Sequence, residues 1–373
     1  MRGSVLSVLL GLGACAPWVG GETDGLRTLE NAGWMTPDGI VELAFDVEEG
    51  ETSFAATFSV ADEDLVFVSH LDAPGEADLL VARDWWDADR NRTNAVFSAA
   101  TNTLVWPIGA ADRPLDPGRW SMEAVPDAPQ PMGVHLAIKR DVDLQSGALA
   151  VRVRLARSVA DDPGLADGVD EAVRRWKDEI YAPLGVDLDV DFDVWEGTDV
   201  LGSPGFADPQ VYRQVTADVP LRTLLVLVLE EIDDGVGIFG ASGGIPGPLV
   251  PSDRSVVTIS ALEAAGADLA FAGAGRDQEL DLFAETIAHE VGHYLGLFHP
   301  AELPVGGRVS TWDALDDTAE CSTFEACVGA LGGNLMFPTP LCATGESRCT
   351  AFVAQRQVTS AQAGVVHRNP HVR

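Results

Sequence analysis

Three of the chain's seven histidines fall within the stretch "ETIAHEVGHYLGLFHP", residues 285–300. His289 and His293 are four residues apart, which on a helix sets one imidazole above the other, close enough to bind the same ion. Glu290 follows His289 directly, so its carboxylate sits beside such an ion without being needed as a ligand. Two imidazoles hold a divalent metal weakly, and a third is available. Gly296 falls where the helix should end, because glycine readily takes the left-handed conformation that turns the chain off the helix axis. That turn brings His299 back towards the other two, and Pro300 discourages helix beyond it. Three neutral imidazoles leave a fourth position open, the pattern of a catalytic rather than a structural metal site.

The elements that must position these residues can be read from periodicity. Leu280, Phe283, Ala284, Ile287, Val291 and Leu295 recur at helical spacing and predict a helix with one stripe facing a core. Upstream, "GALAVRVRLA" reads as a strand, and Leu165, Val169, Ala172, Val173, Trp176 and Ile180 follow at helical spacing. "VDLDVDFDV" (186–194) alternates apolar residues with four aspartates, predicting a strand with one buried and one wet face. "LRTLLVLVLEEI" (221–232) is continuously apolar and suits a strand covered on both faces, and "SVVTIS" (255–260) reads as another. Near the end, Thr359 and Gln362 have the spacing of a capping box at the start of a final helix. His367 and His371 beyond it are expected at the surface.

Before residue 146 the pattern differs. "GIVELAFDV", "TSFAATFSV", "EDLVFVSHL", "NAVFSAA" and "NTLVWPIG" are short apolar runs separated by turn residues, which predicts an antiparallel β-sandwich or jelly roll. The expected division is a leader over 1–14, a linker over 15–21, an all-β sandwich-like domain over 22–145 and an α+β domain over 146–373.

The stretch "HEVGHYLGLFH" resembles the zinc consensus of the metzincin metallopeptidases, and the wording around it is most similar to the pappalysin-like branch. The resemblance implies His289, His293 and His299 as ligands of one catalytic Zn2+ and Glu290 as general base. It also implies a twisted mixed sheet, an active-site helix and a smaller C-terminal subdomain. Its methionine turn is matched by Met336 in "GGNLMFPTP", with Asn334 two residues earlier. Cys342 lies where the branch often has a cysteine, and Asp317 and Thr318 faintly resemble another of its elements. Pro338 is a departure: the branch has a tyrosine there, whose hydroxyl can stabilise the oxyanion. The implied activity is hydrolysis of peptide bonds in extracytoplasmic proteins. The alternative is a surface-anchored binding protein whose peptidase domain is vestigial.

With 24 Lys plus Arg against 58 Asp plus Glu, the formal charge of −34 excludes binding nucleic acid or an anionic membrane by charge. "MRGSVLSVLLGLGACAP" has an apolar run too short to span a bilayer. It resembles a bacterial lipoprotein leader, implying lipid attachment at Cys15, export to the cell envelope and membrane contact only through that anchor; plain secretion is the alternative. The other four cysteines, Cys321, Cys327, Cys342 and Cys349, read in an exported protein as two disulfides of undetermined pairing. No cysteine lies between Cys15 and Cys321, so an N-terminal thiolate cannot blanket the ion, although a carboxylate of the N-terminal module could. "DADRNRT" (87–93) spaces Asp87, Asp89 and Asn91 like the start of a Ca2+ loop, but Arg92 stands where the loop glycine belongs. Trp85 and Trp86 beside it suit a core or a carbohydrate platform. The expected partner is a protein or peptide substrate, and the expected state a monomer.

Overall fold

The computed structural model describes residues 19–373, apart from 24, 35–38, 61–63, 87, 141–143, 235–236, 265–274, 305–307 and 343–351. The molecule is a mixed α+β structure, mostly sheet with a few helices. Residues 1–18, with the expected leader and Cys15, lie outside the described residues, as does Cys349.

The first part consists of two antiparallel sheets. One orders its strands Val19–Thr23, Leu26–Trp34, Met132–Lys139, Ser53–Ser59 and Thr101–Trp106. The other orders Val41–Val47, Gly118–Pro126, Val66–Ala73 and Glu76–Val81. Alternation does the work of stacking them: Val41, Leu43, Phe45 and Val47 point into a core shared with Phe54, Phe58 and Trp120, while Glu42 and Asp46 face water. "NAVFSAA" was expected as a strand and is instead a single 3-10 turn, Asn94–Val96. The Thr93 hydroxyl accepts the Ala95 amide at 3.1 Å and so caps a turn where the ladder would otherwise continue. Trp85 packs against the sandwich core, whereas Trp86 stays exposed and stacks on Phe97 with ring planes 5° apart.

The second part is built on a five-stranded sheet in the order Val186–Trp195, Gly147–Ala156, Thr223–Leu229, Val257–Ser260 and Gly240–Ser242. The first four run parallel; Gly240–Ser242 is an antiparallel edge strand. Leu224 to Leu229 are buried throughout, as the unbroken apolar run requires. Along Val186–Trp195, Asp187, Asp189 and Asp191 are exposed, while Asp193 turns to the buried Arg154 at 2.6 Å. The outer half of this strand is less covered than its pattern predicts, with Phe192 and Val194 both exposed.

Two helices lie against this sheet. Pro163–Arg175 is capped by Asp162, whose carboxylate accepts the Gly164 and Leu165 amides, and it packs on the long helix Arg276–Tyr294. The long helix buries far more than the one predicted stripe: Leu282, Glu285, Thr286 and Ala288 are covered too. The reason is that the closing segment wraps its other side, with Met336, Val365 and Val366 in the same core.

The sandwich and the sheet unit meet closely. Leu249 packs among Leu26, Ala55, Val105 and Ala137 on the outer face of the first sheet. The final helix Ser360–Arg368 has the expected capping box. His367 and His371, expected at the surface, are both 1% exposed. The chain end is clamped between the two units: Lys139 Nζ donates to the His367 carbonyl at 2.6 Å, Ser53 Oγ to that of Arg368 at 2.7 Å, and Arg373 pairs with Ala148 by two backbone bonds.

Burial, then the positive charges of Arg222 and His135, pushes the His371 imidazole down to about 3. A histidine in the unfolded chain protonates near pH 6.5, so below that pH the unfolded state takes up a proton that the folded state refuses. Stability is unaffected above that value and falls on acidification, by about 1.4 kcal/mol per pH unit for each such imidazole. An NMR titration should find His371 still neutral at pH 5; titration near 6.5 would contradict its burial.

Candidate metal centre

The long helix ends as its sequence requires. Gly296 has φ +111°, a conformation that disfavours any side chain, and its amide bonds back to the His293 carbonyl at 2.9 Å. The chain then doubles back, with the Leu297 amide on the Gly292 carbonyl at 2.9 Å, and delivers His299. Nε2 of His299 lies 3.2 Å from Nε2 of His289 and 3.1 Å from Nε2 of His293.

Each ring's other nitrogen is committed. Nδ1 of His289 donates to the Leu335 carbonyl at 2.8 Å, Nδ1 of His293 to the Leu297 carbonyl at 2.7 Å, and Nδ1 of His299 to the Glu302 carboxylate at 3.0 Å. Carbonyls and carboxylates only accept, so Nδ1 carries the proton in all three rings and Nε2 presents a lone pair. Three lone pairs therefore converge with no proton between them, which is favourable only around a cation. The two separations from His299 match the roughly 3.3 Å between nitrogens at neighbouring vertices of a tetrahedron around a metal 2.0–2.1 Å from each. Burial pushes His289 down to about 3 and His293 well below its ordinary value, with the neighbouring histidines adding to the effect. Those two rings are thus neutral, as metal ligands must be.

Met336 is fully buried against the long helix at Gly292. A Cβ on Gly292 would come within 2.6 Å of its sulfur, so glycine there permits the close approach. The turn that carries Met336 is locked from below. Asn334 Oδ1 accepts the Met336 amide at 2.9 Å, and its amide group exchanges two bonds with Gln362, the same residue that closes the capping box of the final helix. The turn in turn supplies the Leu335 carbonyl that orients His289. Asp317 caps that helix from outside, accepting Thr359 Oγ1 at 2.7 Å and the Ala361 amide at 2.9 Å.

Glu290 points to the edge strand. The Ser242 backbone amide bonds its carboxylate, Gly240 lies against its Cγ, and burial pushes it up to about 8, against the lowering effect of that amide. A cavity of about 200 Å³ opens beside it, with His289, Glu290 and Gly240 on one side and Phe337, Pro338 and Pro340 on the other. Glu285 and Gln355 also line it, and Arg356 holds the Glu285 carboxylate at 2.7 Å. Pro338 is on the wall and has no hydrogen to donate. The chain's three tyrosines, Tyr181, Tyr212 and Tyr294, are all fully buried with their hydroxyls on backbone carbonyls. No tyrosine therefore substitutes for the one missing at Pro338.

Other expected sites fare differently. Among the described residues the histidine trio is the only group of three or more His, Cys, Asp or Glu whose ligand atoms converge. The Ca2+ loop gains no support: Asp87 lies outside the described residues, and Asn91 donates its amide to Glu302 at 2.8 Å. Cys321 and Cys327 form a disulfide, while the backbone of Cys342 forms an isolated antiparallel β-bridge with that of Phe352. Glu302 is the residue that sequence reading missed. Its place three residues after His299 was the available signal.

No protein-family model matches the chain, and no curated protein matches it either. Among solved structures it is similar to metalloproteinase-II from Bacteroides fragilis, with 12% identity over 48% of this chain and 56% of that one, at a TM-score of 0.28. It is also similar to a xylanase 10C mutant from Cellvibrio japonicus in complex with xylopentaose, with 10% identity over 61% and 57% of the two chains, at 0.16. The chain thus spans little more than half the length of either, and likenesses this slight carry no weight for fold or activity.

The Asn334–Gln362 pair yields a test. Asn334→Ala leaves the fully buried Gln362 amide without its partner and should lower stability by about 1–3 kcal/mol. Urea unfolding checks this, and a change below about 0.5 kcal/mol would show that the turn does not depend on the pair.

Proposed function

We propose that the protein is a zinc-dependent endopeptidase of metzincin type, with His289, His293 and His299 as the ligands and Glu290 as general base. The observation that carries this reading is the convergence of three Nε2 lone pairs, each fixed by an acceptor on Nδ1. An all-imidazole set suits zinc and leaves room for substrate and water. Zinc bound there would supply Lewis-acid polarisation of a carbonyl and lower the pKa of water.

The chain's own residues account for the remaining steps. Glu290 lines the cavity, and the Ser242 amide favours its charged form. Its raised proton affinity suits a base that takes a proton from the attacking water and passes it to the leaving amine. A cation at the histidines would draw that affinity down towards the working range. Among the described residues the edge strand Gly240–Ser242 pairs on one side only, with Val257–Ser260. Its free side offers backbone groups to an extended peptide, the way a strand is added to a sheet edge. The apolar wall of Phe337, Pro338 and Pro340 would receive a side chain next to the scissile bond.

The same proposal includes export, anchoring through Cys15 and action as a monomer on extracytoplasmic protein substrates. No helix among the described residues is long and apolar enough to cross a membrane.

Glu290→Ala should retain the metal yet reduce kcat for an unstructured protein such as casein by about 10²–10⁴-fold, the usual contribution of a general base. The activity that remains in the unaltered protein should be abolished by a chelator and restored by zinc. Cleavage by Glu290→Ala at the unaltered rate would remove Glu290 from the mechanism.

A further inference from the structure

The histidine trio is supported from an unexpected direction. His289 and His293 are oriented by carbonyls of their own domain, but His299 is oriented by a side chain, Glu302, whose second oxygen is occupied by a residue of the sandwich. Asn91 Nδ2 lies 2.8 Å from Glu302 Oε1, while Glu302 Oε2 accepts His299 Nδ1 at 3.0 Å. A carboxylate only accepts, so Asn91 must present its N–H to it. One carboxylate thus bridges a sandwich amide and a metal-ligand imidazole.

The backbone of Glu302 is tied to the same place. Its amide donates to the Thr311 carbonyl at 3.0 Å, and Ala301 forms an antiparallel bridge with Trp312. Trp312–Asp313 then runs parallel to Arg90–Asn91, and the Trp312 amide donates to the Asp89 carbonyl at 3.0 Å. Three short segments therefore lie side by side: the one after His299, the one around Trp312, and the sandwich loop. Arg90 strengthens the outer pair by an ion pair with Glu320 and by lying 5.2 Å over the Trp312 ring, without touching Glu302.

We propose that Asn91 is a positioning residue for the third ligand: by holding Glu302 it fixes the plane of the His299 imidazole, so the sandwich is a working part of the metal centre. This rests on the reading of the trio as a zinc site. Two fixed points define the orientation of a carboxylate, whereas one leaves it free to rotate about its side-chain torsions and to carry the imidazole with it. A module that served only as a removable cover would have no need to reach behind a ligand.

The test uses the full chain and zinc alone, with affinity read by competition against a chromophoric chelator and the coordination sphere read from the absorption spectrum of the cobalt-substituted protein. Asn91→Ala should weaken zinc binding by about 10–100-fold, the usual loss when an outer partner of a metal ligand is removed, and should change the cobalt spectrum. Asn91→Asp has the same shape but sets a carboxylate against Glu302, so it should bind at least as poorly. Arg90→Ala loosens the same loop without touching Glu302 and should bind within about twofold of the unaltered protein. Unaltered affinity in Asn91→Ala, or an equal loss in Arg90→Ala, overturns the proposal while leaving the zinc site standing. Failure of the unaltered chain to take up zinc would instead sink the zinc reading, and this proposal with it. Should Asn91→Ala unfold, the comparison of Asn91→Asp with Arg90→Ala decides the matter.

Discussion

The proton on Nδ1 is the constraint around which this molecule is arranged. An imidazole offers a lone pair at Nε2 only if its other nitrogen is kept protonated, and three accept-only groups do this for His289, His293 and His299. Each acceptor comes from a different structural device. The Leu297 carbonyl is placed by the glycine bend, the Leu335 carbonyl by the turn above Met336, and the Glu302 carboxylate by the strand pairing that reaches the sandwich. Loss of any of the three lets a ring rotate or shift its proton, and with it the convergence of the lone pairs.

This explains why elements distant from the site are so firmly built. The final helix could be held by apolar contacts alone, yet its first turn is capped three times, by Thr359, Gln362 and Asp317. Gln362 is the link, because it also closes on Asn334 and so fixes the turn that serves His289. The long helix is covered on nearly all sides for a related reason. The sheet, the turn at Met336 and the final helix enclose it, and His289 and Glu290 are left to line the open cavity.

The parts of the site that depend on short-range spacing were legible in the sequence. The four-residue step from His289 to His293, the bend at Gly296 and the return of His299 are all local geometry, and so is the capping box at Thr359. The strand Thr223–Leu229 was legible because burial on both faces leaves an unbroken apolar run, and Val186–Trp195 because apolar residues alternate with aspartates, whereas the edge strand Gly240–Ser242 lies in a stretch that read as a Gly/Pro-rich loop. What escaped was non-local. Asn91 and Glu302 are 211 positions apart, and nothing in either neighbourhood marks the pair. His367 and His371 looked like surface residues because a polar chain end usually is one; here the end is clamped between two units by the side chains of Lys139 and Ser53 on one side and by backbone bonds to Ala148 on the other, partners far away in the sequence. The Asn94–Val96 turn was missed because one threonine cap outweighed an apolar pattern.

Convergence of the three lone pairs on a single ion is tested by metal content joined to X-ray absorption at the zinc edge. One zinc per chain is expected after dialysis, with three imidazole nitrogens at about 2.0–2.1 Å and no sulfur in the coordination sphere. A chain that retains no zinc, or one whose zinc is held by cysteine sulfur, would contradict it.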